Sequence, residues 1–235
     1  MKRALFVTFA VVAMLATSAA FGLTPHTIVF SENWEMDMPG TLLKDTIQWT
    51  GDNATYVVAA GNYAQLTGDP NSGNNWVCTQ TNFGAGMNGQ ALQLFHMELA
   101  GLGPGSGNRT DIYVLDEGGA VWLRWYGDST RVMPRHPGGT GPEVPLGSAW
   151  SDMDIVYNSV TGLATWYADG AFVYSIDAGA GKYMQRVELN NQWGATNDAI
   201  LMDNIMVGPV PEPSSLLALS VFGVGIIGYI KRRRA

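Results

Sequence analysis

Ala164-Thr165-Trp166-Tyr167-Ala168-Asp169-Gly170-Ala171-Phe172-Val173-Tyr174 sets two runs rich in β-branched and aromatic residues on either side of an Asp-Gly pair. Asp-Gly supplies the positive φ that a two-residue hairpin turn requires, so the stretch predicts two antiparallel strands joined tightly. Just upstream, Trp150-Ser151-Asp152-Met153-Asp154-Ile155-Val156-Tyr157 alternates Trp150, Asp152, Asp154 and Val156 against Ser151, Met153, Ile155 and Tyr157. That period of two predicts a half-buried strand, with Asp152 and Asp154 on the solvent face of an edge-side strand. Further candidate strands cover 27–30, 46–49, 55–59, 63–67, 76–79, 91–99, 111–115, 120–126, 183–189 and 199–207. Turn signals such as Gly51-Asp52-Asn53, Asp69-Pro70-Asn71 and Asp116-Glu117-Gly118-Gly119 separate them at the spacing of a sandwich or barrel, and no stretch has a useful helical period.

Composition narrows the classes. With one Cys and three His in 235 residues, no intrachain disulfide can close, and a zinc module built on Cys and His is ruled out. The 29 Gly favour a turn-rich fold. The formal net charge is -7, but six of the 13 Lys and Arg and only one of the 20 acids lie in the two ends. Residues 23–210 therefore carry seven basic against 19 acidic residues, a net charge of -12 with no basic stripe for nucleic acid.

Both ends read as addresses. Residues 1–22 begin with Lys2 and Arg3, continue through an apolar run over 4–16 and finish in Ser18, Ala19 and Ala20, which predicts a secretory signal peptide cleaved after Ala20 or Gly22. At the other end, Pro211-Glu212-Pro213-Ser214-Ser215 precedes an apolar run over 216–230 and the basic cluster Lys231-Arg232-Arg233-Arg234. The prolines keep the segment extended, the apolar run predicts a single transmembrane helix, and the basic residues would hold its C-terminus in the cytoplasm. The segment 211–235 resembles a PEP-CTERM sorting domain. That resemblance implies recognition of Pro211, Glu212 and Pro213 by an exosortase, a membrane-embedded processing enzyme. It also implies transient membrane anchoring, then delivery to the outer envelope or extracellular matrix of a Gram-negative-type bacterium, with a link to exopolysaccharide and biofilm.

Between the ends, the Trp150-led strand, the turn at 158–162, Trp166-Tyr167-Ala168-Asp169-Gly170 and the closing Asp203-Asn204-Ile205-Met206-Val207 are similar to the concanavalin A-like, laminin-G-like family. The resemblance implies an all-β fold over 23–210, a two-sheet antiparallel jelly-roll sandwich. That family includes lectins, adhesion modules and glycoside hydrolases, so it does not choose an activity.

A glycosidase needs paired carboxylates across the scissile bond. Glu35-Met36-Asp37 and Asp152-Met153-Asp154 are the candidate pairs, but each lacks a third carboxylate, and Pro39-Gly40 ends the first as a turn. His26, His96 and His136 have no nucleophile elbow to serve, Cys78 has no partner motif, and His96 reads as a hydrogen-bonded structural imidazole. The glycines at 101–107 and the run 135–142 read as loops. The expectation is a non-enzymatic module binding polysaccharide or a matrix protein, with a jelly-roll hydrolase or a purely structural protein as alternatives. Ligand candidates are Trp122, Arg124, Trp125 and Trp193, since sugar rings dock on aromatic faces beside hydrogen-bonding groups, although most tryptophans of a sandwich this size pack in its core. Acidity leaves a Ca²⁺ site open, with Asp69, Asp116, Asp128, Asp169 and Asp198 as loop candidates in no ligand-like spacing.

Overall fold

The computed structural model describes residues 25–210 apart from 26, 39, 52–55, 60–62, 68–73, 104–108 and 193–198. Sixteen strands account for most of it: β1 (Phe30–Glu32), β2 (Trp49–Gly51), β3 (Tyr56–Ala59), β4 (Tyr63–Thr67), β5 (Asn74–Thr79), β6 (Leu92–Leu102), β7 (Arg109–Leu115) and β8 (Val121–Asp128). They are followed by β9 (Arg131–His136), β10 (Gly139–Thr140), β11 (Val144–Pro145), β12 (Ser151–Asn158), β13 (Leu163–Ala168), β14 (Ala171–Asp177), β15 (Arg186–Gln192) and β16 (Ala199–Pro209). The one α-helix among the described residues, α1, is the short Gly84–Met87.

The strands form two antiparallel sheets of eight. The first runs β14-β13-β12-β6-β16-β4-β3, with β1 also on β16; the second runs β10-β9-β8-β7-β15-β5-β2, with β11 on β9. The hairpin that opened the reading is β13–β14. Ala168 pairs with Ala171 across Asp169 at φ 49° and Gly170 at φ 73°, two consecutive left-handed residues as a tight hairpin turn demands.

The sheets bury one aromatic-rich core. Trp34, Trp49, Trp122, Trp125 and Trp166 are at most 2% exposed, so five of the eight tryptophans are core. Several cross between sheets: Trp122 of the second packs edge-on to Tyr157 of the first at 4.4 Å between centroids, and Trp166 Nε1 of the first donates to Arg124 O of the second at 3.1 Å. An indole buried this way stabilises through its large apolar area while its one donor stays satisfied.

Some boundaries differ from expectation for local reasons. Residues 27–29 precede β1, and of the strand expected at 46–49 only Trp49 is one, because residues 46–48 turn the chain out of the 3₁₀ turn Leu43–Asp45 into β2. Arg131–His136 is a strand although Pro134 argues against one; its ring lacks a donor, but its carbonyl accepts Gly141 N at 2.9 Å, so the ladder there is closed from one side. The run at 135–142, expected as loop, thus holds the end of β9 and all of β10. β12 is no edge-side strand, because it lies between β13 and β6, and Asp154 is 2% exposed.

Candidate functional site

The outer face of the second sheet is built by alternation, broken once in β8. Val77, Leu189, Ile112 and Trp125 point inward from β5, β15, β7 and β8 and are buried in the core, so their neighbours point outward. Register then lays those neighbours out in two rows. In the first row, Trp76 pairs with Asn190, Asn190 with Asp111, Asp111 with Tyr126, and Tyr126 with Met133. In the second, Cys78 pairs with Glu188, Glu188 with Tyr113, Tyr113 with Arg124, and Arg124 with Arg135.

Arg124 organises the centre. Its Nη1 donates to Asp111 Oδ1 at 3.2 Å and to the Tyr113 hydroxyl at 3.4 Å, and its guanidinium lies 5.5 Å from the Tyr113 ring and 5.8 Å from that of Tyr126. Arg135 covers Tyr126 from the next strand at 4.6 Å. These planar groups shade one another, which is why Asp111 and Tyr113 are buried on an outward face. Burial, then the Asp111 charge, pushes the Tyr113 hydroxyl up to about 12, so it stays a neutral donor and acceptor. Burial also raises the Glu188 carboxyl, with Asp111 adding to the shift and a hydrogen bond from Asn190 opposing it. Trp76, 37% exposed, presents a ring at the end of the first row.

Of the expected ligand residues that the structure describes, Trp122, Arg124 and Trp125, only Arg124 reaches this face. Trp122 and Trp125 are 2% and 0% exposed and offer no ring to a ligand, a correction with a specific cause. β7 and β8 shift register between Val114 and Leu115, so Leu115 opposes Val121 while Val114 opposes Leu123. Trp122 is the extra residue, and it turns into the core beside Leu123 instead of outward beside Arg124. Trp193 lies outside the described residues, as do Pro211, Glu212 and Pro213, Asp69 and Asp198, and both the signal peptide and the transmembrane helix expected at the ends. Among the described residues no helix is long and apolar enough to cross a membrane. Asp116, Asp128 and Asp169 do not converge on a cation. Asp116 caps Gly118 N and Ala120 N and pairs with Lys182 at 2.8 Å; Asp128 caps Thr130 N, and Asp169 accepts Asp152 N.

The other residues weighed for chemistry sit elsewhere. Glu35 and Asp37 lie in the turn after β1. On the outer face of the first sheet, His96 opposes Asp154, and Glu98 lies between Asp152 and Asp203. His96 Nδ1 is 2.7 Å from Asp154 Oδ1. Burial pulls this imidazole down, but the Asp154 contact and the nearby Asp152 and Glu98 charges outweigh it and hold it above the ordinary value. The residues missed by the sequence reading, Trp76, Asp111, Tyr113, Tyr126, Arg135, Glu188 and Asn190, had one available signal. Within each strand they share a parity opposite to the apolar positions.

Comparison with known proteins agrees with this architecture. The solved carbohydrate recognition domain of Emp47p superposes with a TM-score of 0.59 at 8% identity, covering 79% of this chain and 97% of that one. The sandwich is a concanavalin A-like jelly roll. An endo-acting O-glycanase expressed by the human gut microbiota matches it with a TM-score of 0.58 at 11% identity over 79% of this chain and all of that one. The apo Crh5 transglycosylase gives 0.52 at 14% identity over 82% and 90%. No curated protein sequence matches the chain. The PEP-CTERM protein-sorting motif matches residues 209–235, which marks the chain as exported and implies processing by an exosortase at the membrane.

Proposed function

We propose that this exported jelly roll is a non-catalytic module that binds polysaccharide across the outer face of its second sheet. The observation that carries the reading is the two-row array itself. Trp76 offers a ring to the apolar side of a sugar, while Asn190, Asp111, Glu188, Tyr113, Tyr126 and the arginines extend across the neighbouring strands as hydrogen-bonding groups. Delivery to the envelope or matrix by the sorting motif supplies a polysaccharide-rich surrounding and agrees with this reading. A glycan array probed with the purified protein tests it: retained glycans should be lost from a Trp76→Ala, Tyr126→Ala double variant. Absence of binding to every glycan would favour a structural matrix role. For the address, Glu212→Gln is expected to leave an unprocessed membrane form, and normal processing would remove the exosortase reading.

A second reading, a glycoside hydrolase, has one specific observation in its favour. Glu188 and Asp111 are carboxyls on neighbouring strands of this face, and the Glu188 carboxyl is held above its ordinary range, as a general acid requires. Reducing-sugar release that disappears in Glu188→Gln would replace the binding reading with this one.

A further inference from the structure

One cluster on the outer face of the first sheet takes no part in the polysaccharide face of the second. His96 and Glu98 are two residues apart on β6 and therefore share its outer face, and β12 brings Asp154 opposite the first and Asp152 opposite the second. One ligand atom each from His96, Glu98 and Asp152 lies within 4.8 Å of the other two. Four-coordinate ligands at Zn–N and Zn–O lengths stand roughly 3.3 Å apart, so side-chain adjustments of about 1 Å close the set.

Two features separate this group from an ordinary acidic surface. The first is the imidazole. His96 is 8% exposed and its Nδ1 is held by Asp154, yet among the described residues its Nε2 has no hydrogen-bond partner. A carboxylate on one ring nitrogen and an uncommitted second nitrogen is the arrangement that orients a histidine toward a metal. The second is charge. Among the described residues, none of the strands of this sheet carries Lys or Arg, so no such residue on them relieves the repulsion among Glu98, Asp152 and neighbouring Asp203. Asn204, at φ 49° in the bulge of β16, donates its Nδ2 to Glu98 Oε1 at 2.9 Å and so fixes that carboxylate while leaving Oε2 to coordinate.

We propose that His96, Glu98 and Asp152 bind a divalent first-row transition ion, with His96 contributing Nε2 and Asp154 acting as the positioning residue behind it. Imidazole suits Zn²⁺ far better than Ca²⁺, which takes six or more oxygens. The site therefore differs in place and ligand class from the loop Ca²⁺ site expected from the sequence. Three protein ligands leave at least one position for water or a ligand donor.

Isothermal titration of the chelator-treated full chain with Zn²⁺, and with Ca²⁺ in parallel, tests this. The expected result is one Zn²⁺ per chain, bound more tightly than Ca²⁺. His96→Ala, Glu98→Gln and Asp152→Asn should each weaken binding at least tenfold, and Asp154→Asn ten- to a hundredfold. His136→Ala is the control and should leave binding unchanged. Because His96→Ala opens a buried position, the more exposed Asp152→Asn keeps the test decisive, with an unchanged near-ultraviolet circular dichroism spectrum as its folding check. Absence of Zn²⁺ binding, preference for Ca²⁺, full affinity in Glu98→Gln and Asp152→Asn, or equal loss in His136→Ala would each overturn the proposal.

Discussion

The two sheets share one core but carry opposite chemistry on their outer faces. The strands of the second sheet hold five arginines, Arg109, Arg124, Arg131, Arg135 and Arg186, against three acids. The strands of the first hold five acids outside the core, Glu98, Asp152, Asp154, Asp177 and Asp203, beside the inward Glu32, and neither Lys nor Arg. A net charge of -12 for residues 23–210 therefore describes neither face. Bulk acidity by itself opposes contact with anionic polymers by simple attraction. Segregation removes that objection for the second sheet and strengthens the case for a cation on the first.

The largest test of this division acts on the core that joins the two faces. Trp166→Ala removes a fully buried indole and its donor to Arg124 O, so urea unfolding should show a loss of about 3–5 kcal/mol. Because the lost hydrogen bond lies under Arg124, glycan affinity should fall as well. A variant that keeps both stability and affinity would show that the faces are independent of the core between them.

Next in size is the second face alone. Trp76→Ala, which removes the exposed ring, and Tyr126→Ala, which removes the support under Arg124 and Arg135, should each weaken glycan binding by about tenfold, the equivalent of roughly 1.4 kcal/mol. Zn²⁺ titration of the same proteins should be unaffected, and a parallel loss would mean that the faces form one site.

Acid separates the sheets in a different way. The Asp116 carboxyl beside Lys182 is held below the ordinary range; burial opposes this, but the Lys182 contact and the backbone donors of Ala120 and Gly118 prevail. A depressed carboxyl contributes stability that is present above the unfolded value of about 3.9 and lost as pH falls through the lower folded value. Burial holds Glu32, on β1 of the first sheet, above its ordinary value, against hydrogen bonds from Trp34 N and Trp49 Nε1. Its contribution has the opposite sign, improving as pH falls through the folded value and lost as pH rises above it. Unfolding midpoints between pH 3 and 7, an order-of-magnitude window around these carboxyls, should lose part of their acid-side decline in Asp116→Asn, at about 1 kcal/mol. In Glu32→Gln the decline should steepen. Identical profiles for the two variants would contradict the assigned directions.

The smallest effect belongs to the hairpin. Gly170→Ala puts a Cβ on a residue at φ 73° and should cost about 1 kcal/mol in the same unfolding assay, with neither ligand affected.

How far the sequence reached follows from these same elements. The Asp169-Gly170 hairpin and the alternation at 150–157 were legible because turn chemistry and period two are local properties. Trp122 was misjudged because its direction depends on a bulge created by pairing with β7, which no window within β8 contains. Arg124 was visible, but its partners Asp111 and Tyr113 were not, since they come from a strand whose register is fixed only when the sheet forms. The same holds for His96. Its hydrogen-bonded character was readable, while Asp154 lies 58 residues away and Asn204 more distant still, brought together by strand order alone.

The last strand carries a consequence for when the molecule can fold. β16 is an interior strand, bonded to β6 along most of its length, to β4 by its first half and to β1 near its end. Gly208 has no room for a Cβ against Thr27 O, and Val210 N still donates to Leu92 O, one residue before Pro211. The first sheet cannot close until residues 199–209 are in place, and the sorting motif, matched from residue 209, overlaps the end of that strand. The first sheet therefore closes last, whereas the strands of the second sheet are complete by Gln192. The motif that marks the chain for sorting thus begins at the end of an interior strand, at Pro209.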